Sequence, residues 1–410
     1  MALIRLFASI VSCVLMTTAL DPPYFVGYVD FPTCAGVGTA TADADCLANL
    51  GVPGYASHPF NVINFAFYVS TQDLLYDAAK VWANPSTYFS SSFRSQITGL
   101  ASPTDAQFRA SIKALYASAG VKLILSVFGG TDHPMTSGQF PESTLLSSGG
   151  LRDKIAAFVT DYDFDGVDID FEETSYFQGT GSAVSWLCTL TNGLRASLGS
   201  SKIITHAPQA PYMGASSGNS NIYSGGGYLA VHQSCGSNID WYNVQFYNQG
   251  STAYDTYDEL FVSASGWSQT TAVLQIINGQ NPSNISIPAE KLVVGKFIRP
   301  GTDGSAGWVS AANLKTWLQT AMQSTQIAGF MIWQYYGDKL QDFAWSNTVA
   351  TAWDGTSITT TTTTTSSGVT PAPTTTTTRS GAGSVSVGLS VSSGCTCGSS
   401  CSSGSCWYFG

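Results

Sequence analysis

Eight short apolar runs, rich in β-branched and aromatic residues, recur along the body of the chain: Tyr24–Val29, Asn61–Phe67, Val121–Val127, Phe164–Phe171, Lys202–Ala207, Trp241–Tyr247, Leu292–Ile298 and Ile327–Trp333. Several are separated by stretches with apolar residues at helical spacing. Asp105–Ser118 sets Phe108, Ile112 and Leu115 on one helix face, and Leu151–Val159, Val184–Leu198 and Ala311–Met322 behave alike. Gly or Asn tends to precede the next run, as at helix ends. Strands that are apolar on both faces and alternate with helices make a parallel sheet, because crossover helices cover both sides of it. Eight such units predict an α/β fold, a (β/α)8 barrel, with functional residues at the C-terminal ends of its strands. A doubly wound sheet is the alternative. It calls for a Gly-rich phosphate loop after an early strand, and the chain has none; Gly295-Lys296 is followed by Phe297.

The barrel is expected over residues 20–355, with three different segments around it. Residues 1–19 carry one positive charge, Arg5, then the apolar stretch Leu6–Met16 and Thr17-Thr18-Ala19, which predicts a cleaved secretory signal. That stretch is too short to span a bilayer, and no later run approaches about 18 apolar residues, so no membrane span is expected. Residues 356–394 are dominated by Ser and Thr, with Pro371 and Pro373 among them. Such a segment cannot bury a core and reads as an O-glycosylated linker. Residues 395–410 hold Cys395, Cys397, Cys401 and Cys406 with Trp407 and Tyr408: a disulfide-stapled knot or a piece of a carbohydrate-binding module, too short for a core of its own.

Cysteine usage agrees with export. Of nine cysteines, Cys13 lies in the signal, Cys34, Cys46, Cys188 and Cys235 in the body, and four in the tail. Even numbers in each region of an exported chain read as disulfides. The body pairs expected are Cys34–Cys46, closing a loop after the first strand, and Cys188–Cys235, tying the helix after the fourth strand to the segment before the sixth. A metal site is not expected. The tail spacing lacks paired zinc-ligand spacing, and His58, His133, His206 and His232 are scattered singly. Only 10% of residues are charged, the formal net charge is -10, and the 16 Lys and Arg form no basic run. A nucleic-acid partner is therefore excluded. The expected product is a secreted monomer, extracellular or in a cell wall, without cofactor.

The chemistry concentrates in the fourth run, Asp165-Gly166-Val167-Asp168-Ile169-Asp170-Phe171-Glu172. Strand side chains alternate, so Asp168, Asp170 and Glu172 share one face and Val167, Ile169 and Phe171 the other. In a barrel the apolar set packs under the helices and the acids climb toward the catalytic rim, about 7 Å apart at a rise of roughly 3.3 Å per residue. Three stacked acids are costly unless protons are shared, and such coupling is expected to raise the pKa of the outermost acid, as a general acid needs. A calcium loop would need oxygen ligands on a bend, whereas this run is apolar between its acids. Glycosidases usually place a second carboxylate across the scissile bond. The sixth, seventh and eighth runs end in Gln245-Phe246-Tyr247-Asn248, Phe297-Ile298-Arg299-Pro300 and Trp333-Gln334-Tyr335-Tyr336, without an acid at the right place. One acid with Tyr and Gln, and no opposed nucleophile, suggests that the substrate supplies its own, as the carbonyl oxygen of a 2-acetamido sugar can.

Here the chain resembles glycoside hydrolase family 18, the chitinases. Asp165-Gly-Val-Asp-Ile-Asp-Phe-Glu172 matches that family's DxxDxDxE signature without a gap. The resemblance covers essentially the whole body and leans toward the plant class III and fungal branch through Ala207-Pro208-Gln209-Ala210-Pro211-Tyr212, Val244–Asn248 and Gly329–Trp333. It implies that Glu172 is the proton donor, that Asp170 orients the acetamido group, that Asp168 is the buried acid exchanging a proton with Asp170, and that Tyr247 hydrogen-bonds the acetamido carbonyl. It also implies sugar contacts for Gln245, for Trp333 as the floor of the cleavage subsite, and for Gly130. The third strand ends Ser126-Val127-Phe128-Gly129-Gly130, one residue longer than the family's usual Ser-x-Gly-Gly. Aromatics at strand ends, Tyr28, Phe67 and Tyr212 with Tyr247 and Trp333, fit stacking on sugar rings or packing in a core.

The implied function is a secreted chitinase acting on chitin or chitooligosaccharides with retention of configuration. Two alternatives stand beside it: an endo-β-N-acetylglucosaminidase acting on N-glycans, and a non-catalytic chitin-binding wall protein. Relatives that have become lectins typically lose the final acid of the signature, and Glu172 is intact. Asn284-Ile285-Ser286 is a usable N-glycosylation sequon.

Overall fold

The computed structural model describes residues 20–31, 34, 40–178, 181–214, 226–249, 253–264, 270–298 and 307–354. All lie in the first of the chain's two units, Met1–Ile358. The expected signal, linker and Cys-rich tail, and Arg299-Pro300, fall outside the described residues.

Eight parallel strands close into a barrel: β1 (Tyr24–Val29), β2 (Val62–Val69), β3 (Lys122–Phe128), β4 (Gly166–Asp170), β5 (Ile203–His206), β6 (Trp241–Gln245), β7 (Leu292–Phe297) and β8 (Gly329–Trp333). Each pairs with the next, and β8 returns to β1 with Tyr24 opposite Gly329. This is the TIM-barrel closure, which leaves no open edge. The two-residue strand Leu74–Leu75 folds back antiparallel on the end of β2.

All eight runs form barrel strands, most of them shorter than their apolar patterns. Phe164 and Phe171 flank β4 and are fully buried. An apolar pattern reports burial, which continues past the last ladder hydrogen bond. Helices lie between strands as their periodicity requires. The helix Asp105–Ser118 begins with Thr104 and Gln107 capping each other's backbone, Gln107 N–H to Thr104 Oγ1 at 3.2 Å and Thr104 N–H to Gln107 Oε1 at 2.9 Å. Its Phe108 and Ile112 are buried against the sheet, while Leu115 is half-buried.

Two apolar regions result. Outward strand residues such as Val167 and Ile169 pack against the helices. A smaller set fills the barrel, where Tyr24 stacks on Trp241 with ring centroids 4.1 Å apart. That set runs through the barrel from Tyr24 to Tyr247 and Trp333, which border the cavity at the catalytic end. Both expected disulfides are present, Cys34–Cys46 and Cys188–Cys235, the second joining the helices Ser182–Leu198 and Gly227–Cys235. No helix among the described residues is long and apolar enough to cross a membrane. Asn284 of the sequon is exposed.

Candidate active site

β4 alternates as its sequence demands. Val167 and Ile169 point to the helices, and Asp168 and Asp170 point into the barrel, 0% and 3% exposed. Asp168 accepts four hydrogen bonds. Tyr28 Oη (2.7 Å) and Ser126 Oγ (2.9 Å) donate to one oxygen, and Thr205 Oγ1 (2.6 Å) and Asn243 Nδ2 (3.1 Å) to the other. Register explains two of them, since Ser126 and Thr205 sit directly opposite Asp168 on β3 and β5. Trp241 Nε1 donates to Asn243 Oδ1 at 3.0 Å and so turns the amide N–H groups toward Asp168. Burial pushes the Asp168 carboxyl upward and the four donors pull against it.

One layer higher, Asp170 is hydrogen-bonded carboxyl to carboxyl with Glu172, which is half-buried. Burial, then the Glu172 and Asp168 charges, push the Asp170 carboxyl well above the usual range, so the pair shares a proton. Gln245 Nε2 lies 2.8 Å from Asp170 Oδ1, 3.3 Å from Glu172 Oε1 and 2.9 Å from the Ala207 carbonyl. Gln209 Nε2 donates to Glu172 Oε2 at 2.8 Å. Asp170 therefore faces Glu172 in this state, and the hydrogen bonds of Asp168 come from other residues.

A cavity of about 380 Å³ opens over this pair, within the range of small-molecule sites. Of the residues singled out in the sequence, Asp170, Glu172, Gln245, Tyr247, Trp333, Phe67 and Gly130 line it together. Phe67 and Trp333 stack, ring centroids 6.0 Å apart and planes 28° apart. A register shift between Phe65 and Tyr68 interrupts the β2 ladder at Phe67, the kind of bulge that re-aims a side chain. Tyr247 is 5% exposed, and its hydroxyl makes no hydrogen bond to a described residue. Burial, then the Asp170 charge, hold that phenol well above its ordinary pKa, so it stays a neutral donor.

Tyr28 and Tyr212 are not on the cavity wall. Tyr28 lies beneath it as a donor to Asp168. Tyr212 is 1% exposed and hydrogen-bonds Thr174 and the Glu172 carbonyl, so it supports the acid from behind. The extra residue in Ser126–Gly130 displaces nothing below it. Phe128 adopts φ 80° and turns outward beside Val127, packing on Phe171 and Trp186. Ser126 keeps its place on Asp168, Gly129 (φ 78°) lies under the Phe67 ring, where a Cβ would come within 2.9 Å, and Gly130 meets Glu172.

The expectation of a single acid locus is corrected. Asp30 and Asp77 also line the cavity and are hydrogen-bonded to each other. Asp30 was legible: Tyr28 points inward on β1, and the residue two further on continues that face just as Glu172 continues Asp170. Asp77 carried no such signal, because the Leu74–Leu75 fold-back delivers it. Sequence reasoning also passed over Lys296 on β7. Its fully buried amine donates to the carbonyls of Phe246 (2.8 Å) and Tyr254 (3.2 Å), anchoring the segment that carries Tyr247; burial lowers it to about 7. Among the described residues no group of three or more His, Cys, Asp or Glu side chains is arranged to hold a metal ion.

A closed parallel barrel with paired carboxyls in a cavity at the C-terminal strand ends is a glycosidase type of site. The model of the family described as Glycosyl hydrolases family 18 matches residues 38–300. A chitinase from Enterococcus faecalis is 28% identical over 261 residues, covering 60% of this chain and 69% of that protein. Endochitinase 4 of Metarhizium robertsii is 26% identical over 257 residues, 58% of this chain and 63% of that protein. A solved GH18 chitinase from Pseudoalteromonas aurantia superposes with a TM-score of 0.55 at 26% identity, covering 80% of this chain and 99% of that one. The chain belongs to glycosyl hydrolase family 18 and is a chitinase-like glycosidase of that family.

Proposed function

We propose that this protein is a secreted chitinase that cleaves β-1,4 bonds between N-acetylglucosamine units and retains configuration, using the acetamido group of the substrate as nucleophile. The observation that carries the reading is the proton-sharing Asp170–Glu172 pair with the unpartnered Tyr247 hydroxyl in the same cavity. An acetamido group entering there offers an N–H for Asp170 and a carbonyl for Tyr247. Once Asp170 accepts that N–H, the shared proton belongs to Glu172, which delivers it to the leaving glycosidic oxygen. The carbonyl oxygen attacks the anomeric carbon, and an oxazolinium ion forms as the glycosidic bond breaks. Asp170 offsets its positive charge, and Gln245 keeps Asp170 oriented. Water then opens the ring from the face the leaving group vacated, with Glu172 as base. Two inversions give retention, as in the substrate-assisted exceptions to the two-carboxylate scheme.

Asp30 and Asp77 do not supply the missing nucleophile in this reading. Burial, then the Asp77 charge, push Asp30 up to about 8, so at neutral pH it holds a proton and is a poor nucleophile. Secretion and the domain plan of a signal, barrel, linker and Cys-rich tail belong to the same proposal; two disulfides in the body fit an oxidising compartment. Turnover of a fluorogenic chitooligosaccharide tests it. Glu172→Gln keeps the shape and removes the transferable proton, so kcat should fall about 10²-fold or more while binding to insoluble chitin survives. Wild-type turnover in that variant would overturn the assignment.

A further inference from the structure

Four carboxyl groups line the cavity, and none of its described lining residues is Lys, Arg or His. Asp170 and Glu172 are absorbed by the chemistry above. Asp30 and Asp77 form a second hydrogen-bonded pair on another part of the wall, at the end of β1 and the start of the helix Asp77–Ala83. Asp30 is 4% exposed, and its hydrogen-bond partners are Asp77 and the Phe31 N–H at 3.1 Å. Phe31 and Phe67 line the cavity beside the pair, and among the described residues the cation acting on Asp77 is Lys80, exposed on the same helix. The Tyr247 hydroxyl, assigned above to the acetamido carbonyl, lines the same cavity and makes no hydrogen bond to a described residue, as a space built for a polar ligand requires.

With one proton between them, Asp30 and Asp77 carry a single negative charge across one buried and one half-buried carboxyl. The exposed Lys80 offsets it only weakly, because solvent screens an exposed cation. An ammonium group has three donors and no acceptor, and matches two converging carboxyls in both charge and hydrogen bonding. It neutralises the pair without requiring the shared proton to leave. We propose that Asp30 and Asp77 are specificity-determining residues that take a glucosamine unit. The preferred substrate would then be partially deacetylated chitin, with a free amine in this subsite and an acetylated sugar at the cleaved bond. The inference rests on reading the cavity as a chitin-cleaving site.

The test compares half-deacetylated with fully acetylated chitotetraose, on the full chain at low salt and neutral pH. The wild type should show a higher kcat/KM for the half-deacetylated oligomer. Asp30→Asn/Asp77→Asn should lower the ratio of the two values about tenfold, the loss expected for a charge-assisted hydrogen bond. Added salt should lower the wild-type ratio in the same direction. A wild-type ratio near one, a ratio unchanged in the double variant and in Asp77→Asn alone, or a ratio indifferent to salt would overturn the proposal and leave the pair as a hydroxyl contact. Calorimetry of both oligomers with the Glu172→Gln protein separates the two levels. An amine-dependent affinity that the double variant loses sustains the subsite even if the wild type cleaves neither oligomer, in which case the chitinase reading alone fails. Equal affinities sink the subsite whatever the turnover.

Discussion

Asp170 and Glu172, two residues apart at the end of one strand, share a hydrogen-bonded proton, and a single amide, Gln245 Nε2, reaches both at 2.8 and 3.3 Å. The arrangement follows from strand geometry. Residues i and i+2 share a face, and past the last ladder bond of β4 the chain is free to lean one carboxyl toward the other. Asp168 underneath is held by four donors from four different strands, so the pair above it stands on a fixed base.

If Asp170 and Tyr247 make their contacts fully only as the oxazolinium ion forms, Asp170→Asn and Tyr247→Phe should lower kcat more than they raise KM. Steady-state kinetics on a soluble chitooligosaccharide measure both constants. A rise in KM with kcat intact would place these groups in ground-state binding alone.

Asp30 gives a dependence of stability on pH whose sign can be worked out. Its carboxyl rises from an ordinary 3.8 to about 8 in the fold. Between those values the folded protein holds a proton that the unfolded chain has released, so stability falls as pH rises. The contribution of neutral Asp30 is fully present below about pH 4 and is lost as pH climbs toward 8. Thermal melts should therefore show the wild type losing more Tm between pH 5 and pH 8 than Asp30→Asn does. Parallel losses in the two proteins would remove Asp30 as the source.

Lys296 should matter through Tyr247. Lys296→Met keeps the length of the side chain and removes its hydrogen bonds to the Phe246 and Tyr254 carbonyls, at roughly 1–3 kcal/mol for the Phe246 acceptor left unsatisfied. The expected outcome is a lower Tm together with a kcat loss that resembles that of Tyr247→Phe. A variant with wild-type Tm and kcat would show that the amine is not needed to anchor this segment.

The parts of this molecule legible in its sequence are those set by periodicity. Alternation placed Asp168, Asp170 and Glu172 on one face and Val167 and Ile169 on the other, and the helical spacing of Phe108 and Ile112 marked a buried face. Residues that depend on how chain segments meet were harder to read. Tyr28 sits in line with the other strand-end aromatics, yet its hydroxyl serves Asp168 beneath the cavity, because β1 lies within reach of β4 across the barrel. Ser126 stays in register despite the added residue because Phe128 takes a left-handed conformation, which no pattern of residue types announces. Asp77 reaches the cavity through a two-residue fold-back, and Lys296 sits inside a run that reads as ordinary apolar strand.

The central claim is that the substrate's own acetamido oxygen is the nucleophile, with Glu172 as acid and then base. NMR of the product within the first moments of cleaving a soluble chitooligosaccharide tests it most directly, before mutarotation mixes the anomers. Retention predicts the β-anomer, and the same preparation should leave fully deacetylated polymer uncut. An initial α-anomer, or efficient cleavage of the fully deacetylated polymer, would contradict the mechanism and require a nucleophile from the protein, with Asp30 and Asp77 as the first residues to examine.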